Sequence, residues 1–190
     1  MTRAEMTEIF AILALAYPNA EMFKAPNAQA IREKLAPTIV LWTACLQEFD
    51  SWTMQRAVVQ VCQTCKFPPS IAEMREAGET VLSECKAEIS NAYLVAKNAL
   101  AIGKALGETK EQICEALPPR VRRVIAEMGG IEKFAPTDKP WLDMCGFEHT
   151  YERLLRSAPI ELPGHPALAA ITKKEPPPSD GRRPLPSNGR

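Results

Sequence analysis

The chain has 190 residues, 23 of them basic and 23 acidic, and is 46% hydrophobic. Its balanced charge excludes a whole-molecule field that would draw it onto nucleic acid or anionic lipid, and its composition is that of an ordinary globular protein with room for one or two domains. Six scattered cysteines lack the density of a secreted disulfide scaffold and read as reduced and cytosolic.

The opening stretch, MTRAEMTEIFAILALAYPNAEM, reads as helix. Thr2 and Glu5 form a capping box, Met6, Ile9, Phe10, Leu13 and Tyr17 recur at helical spacing, and Pro18-Asn19 closes the run. Glu5 and Glu8 stand where a secretory signal wants basic residues, which argues against one. Nothing reaches 18 uninterrupted apolar residues, so no transmembrane helix is expected. A looser polar stretch follows, and Pro37 is placed in the first turn of the next helix, with Ile39, Trp42, Leu46 and Phe49 on one face. Asp50 is the expected N-cap of a third helix with Met54, Ala57, Val58, Val61 and Cys65 on its apolar side.

Residues 66–74, KFPPSIAEM, make a sharp corner. Proline disfavours helical geometry in the residue before it and cannot donate to the ladder, while Ser70 and Glu73 supply a second capping box. Phe67, Pro68, Pro69 and Ser70 therefore stop one helix and start another, with Phe67 read as buried. Helical signals then persist to about Leu106, with Gly78 as a weak point. Ile71, Met74, Val81, Cys85, Ile89, Ala92, Ala96, Ala99 and Gly103 trace a small-residue stripe suited to close helix approach. Thr109 with Gln112 opens a short helix, PPRVRRVIAEMGG gives a Pro-initiated helix with glycines at its C-cap, and PWLDMCGFEHTYERLLR is a last helix that Gly146 divides. From residue 159 the chain is proline-rich, without aromatics, and is expected to be a flexible basic tail that cannot offset chain entropy by burial. No strand-type alternation stands out. The fold class is all-α: a helical bundle over 1–76, a long helix and further helices over 77–158, and a tail over 159–190.

The chemical candidates are few. Cys62 and Cys65 have the spacing of zinc thiolates, but a structural site needs two more ligands, and no second pair accompanies them. His149 lies beside Glu148 and Glu152 without a nucleophile or oxyanion feature, and reads as a surface histidine; His165 falls in the tail. The segment AIGKALGET has a Gly-Lys pair but not the rest of a P-loop. No metal, no cofactor and no enzymatic activity are expected. Arg120, Arg122 and Arg123 form a basic patch able to contact phosphate, with Glu127 and Glu132 on hand to balance it, and the tail adds Lys173, Lys174, Arg182, Arg183 and Arg190. Trp42, Phe49 and Trp52 are expected in the core. Trp141, Phe147, Tyr151, Leu154 and Leu155 lie on the last amphipathic helix, available either to the core or to an interface.

The first 76 residues resemble the N-terminal domain of the small phage-encoded replicative helicase loader/inhibitor proteins. Tyr17-Pro18, Trp42, Phe49-Asp50 and the Phe67-Pro68-Pro69-Ser70-Ile71-Ala72-Glu73 corner carry the likeness; a weaker similarity to other phage replication proteins runs through 117–156. The resemblance implies a compact helical bundle without an ATPase module. It also implies a protein that binds the hexameric DnaB-type replicative helicase, holds it inactive and delivers it to an origin through an origin-binding initiator in the bacterial cytoplasm. On that basis the helicase contact is expected at Trp141, Phe147, Tyr151, Leu154 and Leu155, with the corner as an architectural element. The rivals are a DNA-binding replication or regulatory protein using Arg120, Arg122 and Arg123, and an inhibitor of a host enzyme.

Overall fold

The computed structural model describes residues 1–134 and 140–158, the side chains of 140–143 excepted, within one unit spanning Met1–Ala158. The expected tail and His165 lie outside the described residues. The helices are α1 (Arg3–Ala16), α2 (Ala28–Cys45), α3 (Ser51–Thr64), α4 (Ile71–Leu106), α5 (Lys110–Ala116), α6 (Pro119–Glu127), α7 (Ile131–Phe134) and α8 (Pro140–Ser157), with a single 3-10 turn at Glu21–Phe23. No strand occurs among the described residues, and the fold is all-α.

The caps fall where the sequence places them. Thr2 with Glu5, Ser70 with Glu73 and Thr109 with Gln112 form reciprocal capping boxes, and the Asp50 carboxylate accepts from the Thr53 amide at 2.8 Å. Each satisfies amides that the first helical turn leaves without partners. At the other ends, Gly107 takes the left-handed conformation (φ 71°) after α4, and Gly129 and Gly130 (φ 96° and 93°) close α6. Residues with a Cβ rarely enter that region.

Three expectations about breaks are corrected. α2 begins at Ala28, capped by Asn27, so Pro37 sits in its interior. A proline there forfeits one ladder bond, but the well-capped N-terminus and the buried Leu35, Ile39 and Trp42 keep the helix continuous. Gly78 does not weaken α4, because the Phe49 ring packs where its side chain would be; a Cβ would lie 2.9 Å from Phe49 Cε1. Gly146 likewise lies within an unbroken α8, close to the Met128 methyl.

Two buried clusters share α4. In the first, α1 packs on α2 and α3, and α3 packs along the N-terminal half of α4. Met6, Ile9, Leu46, Met54 and Met74 are fully buried there. Phe10 meets Trp42 edge-on with centroids 5.0 Å apart, an arrangement worth about 0.5–1.5 kcal/mol beyond its burial. In the second, Ile89, Ala92, Ala96 and Leu100 of α4 meet α5, α6, α7 and α8. Tyr93, Phe134, Phe147 and Tyr151 form a chain of ring contacts at 5.6–5.8 Å, with Phe147 at its centre and fully buried. The small-residue stripe of α4 is thus used inside the chain.

Gly103 shows how closely the second cluster is fitted. A Cβ added there would overlap Ile113 Cγ1, the branch carbon of a buried side chain. Overpacking of this kind costs about 1–3 kcal/mol, against a helix-propensity gain of at most about 1 kcal/mol. Gly103→Ala should lower the unfolding free energy by about 1–2 kcal/mol in urea titration. Unchanged or raised stability would show that α5 is only loosely seated on α4.

Candidate interaction surface

The corner between α3 and α4 is a tight reversal that packs α3 against α4. Its filling residue is Pro69, which is buried; Phe67 is 78% exposed, contrary to the sequence expectation. The chain bends at Lys66 and Phe67, which leaves the phenyl ring outside while Pro69 fills the angle. Ser70 is exposed and acts through its cap. The Tyr17 hydroxyl donates to the Cys65 carbonyl at 3.1 Å and so ties the end of α1 to the corner. Burial first, and then the neighbouring Cys62, push the Tyr17 phenol up to about 12. On the far side, the Arg75 guanidinium donates to the Cys45 carbonyl and pairs with Glu48, fixing the end of α2 to the start of α4.

Cys62 and Cys65 lie half-buried at the end of α3 as free thiols. Among the described residues no three His, Cys, Asp or Glu side chains are grouped so as to hold a metal ion. Burial pushes the Cys62 thiol up, as it does Cys85. A reactive cysteine needs the opposite shift. His149 is exposed on α8.

The three arginines of the basic patch point to different internal partners. Arg120 pairs with Glu88 at 2.5 Å and lies 6.0 Å from the centre of the Tyr151 ring. Arg122 donates to the Glu115 and Leu117 carbonyls at 3.0 and 3.2 Å, closing the end of α5. Arg123 pairs with Glu127 at 3.3 Å, and Arg153 reaches the same carboxylate. These contacts join α4, α5, α6 and α8.

On α8, Phe147, Tyr151, Leu154 and Leu155 are all buried, at 0, 4, 8 and 3% exposure; the Trp141 side chain lies outside the described residues. The Tyr151 hydroxyl donates to Glu88 at 2.9 Å, and burial followed by that carboxylate raises its phenol above the ordinary value. The end of α8 reaches back to the first cluster: Arg156 pairs with Asp50 at 2.6 Å and with Glu152 at 2.6 Å. Arg156 also lies 5.4 Å from the centre of the Trp52 ring, with Arg56 5.0 Å from the same ring. Trp52, expected in the core, is therefore half-buried beneath two guanidinium groups. Beside it a groove of about 370 Å³ is lined by Leu82, Cys85, Ile89, Glu148 and Glu152.

The outward faces carry apolar residues that the sequence reading did not single out. Val40 and Leu41 of α2 are 51 and 55% exposed, and Leu94, Val95, Ile102 and Leu106 of α4 are 44–69% exposed. Their helical spacing was a usable signal on α4, on the side opposite the small-residue stripe. No described helix is long and apolar enough to cross a membrane.

Residues 1–75 match the family model of the phage helicase loader/inhibitor N-terminal domain, the family that the sequence resembles. The matched stretch supplies α1–α3, the corner and the first turn of α4. No curated protein and no solved structure matches the chain.

Asp50 joins the matched domain to α8, and its protonation is legible in stability. Burial alone would raise its carboxyl, but the Thr53 amide and the Arg156 guanidinium outweigh it and hold the group below the ordinary carboxylate range. A depressed folded-state value contributes stability above the unfolded value, which is lost as pH falls through the folded one. Asp50→Asn should therefore flatten the decline in unfolding free energy below about pH 4. An acid limb identical to that of the parent chain would remove Asp50 from the linkage.

Proposed function

We propose that the chain is a phage or prophage replication protein that grips the DnaB-type hexameric replicative helicase and loads it onto, or holds it off, DNA, making no use of nucleotide itself. The match of residues 1–75 to the helicase loader/inhibitor N-terminal domain is the observation that carries this reading. The sequence adds the lack of a P-loop and a net charge of zero. In this reading the protein works in the bacterial cytoplasm as an adaptor, with an origin-binding initiator as a further partner.

A ring helicase admits DNA only in some of its conformations. A protein without a motor shifts that equilibrium only by binding one ring state better than another. A body built on one long helix suits such work, because surfaces at its two ends hold a fixed separation. Direct docking through Phe147, Tyr151, Leu154 and Leu155 would require α8 to leave its core. Exposing each such side chain costs about 1.5–3 kcal/mol. We therefore assign these four residues the task of holding α8 in place, and the helicase contact to faces that are already exposed.

The rival reading, DNA binding through Arg120, Arg122 and Arg123, is weakened by the internal partners of all three guanidinium groups. Replacing them with glutamine is expected to lower stability and leave any DNA affinity unchanged. A salt-steep DNA affinity abolished by the replacement would favour the rival. For the main reading, the purified full chain should retain the host replicative helicase in affinity capture, and one nucleotide state of the helicase more strongly than the other. No association in either state, or nucleotide turnover by the chain alone, would contradict it.

A further inference from the structure

The C-terminal half of α4 has one side in the second core and another that nothing described covers. Leu94, Val95, Ile102 and Leu106 are 51, 44, 59 and 69% exposed. At 100° per residue they fall on a single face, opposite the buried Ala92, Ala96, Leu100 and Gly103. Between them the face holds only exposed alanines 101 and 105 and asparagines 91 and 98, so it carries no charge over about 24 Å of helix. Helices exposed to water ordinarily place charged residues there. A charge-free centre with large aliphatic anchors is the composition of a protein–protein contact rather than of a solvated face.

One flank is charged, and with a single sign. Lys86, Lys97 and Lys104 are spaced by 11 and 7 residues, which returns them to one line along α4. All three are exposed, and none forms an ion pair with a described residue. Elsewhere on the surface Arg75, Lys110, Arg120, Arg123, Arg153 and Arg156 each have a carboxylate partner. The lysine row is a line of like charge along one helix edge, left for something else to answer.

We propose that this face of α4 docks an amphipathic helix of the helicase, one whose apolar side is bordered by aspartate and glutamate. The inference rests on the helicase-binding reading above and deepens it by naming the surface. The aliphatic anchors supply affinity by helix-against-helix burial, while the lysine row sets orientation and speeds encounter by meeting the acidic border. A second copy of this chain fits poorly. In an antiparallel two-fold pair each lysine row would face its own copy, and like charges at that range disfavour the pairing.

The test measures affinity of the full chain for the purified host hexamer, with circular dichroism and thermal melting as folding controls. Two variants are compared with the parent: Leu94→Asp with Ile102→Asp, and Lys97→Glu with Lys104→Glu. A control variant, Val40→Asp with Leu41→Asp, alters the other exposed apolar face. The expected result is at least a tenfold loss for the aliphatic pair and a several-fold loss for the lysine pair. The lysine variant should also lose most of the parent's salt dependence, and the control should bind as the parent does. If the parent binds and the folded α4 variants bind equally well, this surface is excluded while the helicase reading stands. If the parent does not bind at all, the helicase reading itself fails. Sedimentation showing a dimer that Leu94→Asp with Ile102→Asp dissolves would overturn the proposal by making the face a contact between copies.

Discussion

One unbroken helix holds two cores. α4 runs for 36 residues, about 54 Å, from the Ser70–Glu73 capping box to Gly107. Its N-terminal half is packed by α3 and its C-terminal half by α5, α6 and α8. An isolated helix of that length in water owes little to its own ladder; it persists because an apolar face is buried along it. Here the buried face is continuous through Met74, Gly78, Val81, Ile89, Ala96 and Gly103, so neither core can shift along the helix without disturbing packing. Glycine at 78 and 103 is part of this constraint, since each gives room to a side chain from a neighbouring element, Phe49 and Ile113 respectively.

The polar contacts complete the same arrangement. Asp50 caps α3 and receives Arg156 from α8, so one carboxylate serves both a helix end of the first core and the last helix of the second. Glu88 on α4 does comparable work, accepting from Tyr151 of α8 and Arg120 of α6. These pairs are partly exposed, and contacts of that kind stabilise by about 1 kcal/mol or less each. Their larger consequence is geometric: they fix how α6 and α8 are turned on α4.

Much of this was legible in the sequence wherever local chemistry decides. The capping boxes at Thr2, Ser70 and Thr109, the Asp50 cap and the glycines after α6 were readable because each depends on residues three or four apart. What failed was whatever depends on distant neighbours. Pro37 reads as a helix start until Asn27 is seen to cap a helix that is well under way before the proline. Gly78 and Gly146 read as breaks until the partner side chains at Phe49 and Met128 appear. Phe67 reads as buried because a phenylalanine beside a proline corner usually is, and only the direction of the bend turns it outward. Similarly, the apolar periodicity of α8 was plain, but periodicity cannot say whether the neighbour is the same chain or another. The fold answers that for Phe147, Tyr151, Leu154 and Leu155, which are enclosed by their own chain. The basic patch dissolves for the same reason, because Glu88 and Glu127 and the end of α5 are brought to it by folding.

The two sides of α4 divide the labour, one holding the chain together and the other left for a helicase. Hydrogen–deuterium exchange of the full chain, alone and with the purified hexamer, reads both sides at once. Added protection is expected in peptides covering residues 91–106, with α8 protected already in the free chain and unchanged on binding. Loss of protection in α8 on binding, with residues 91–106 unaffected, would contradict that division.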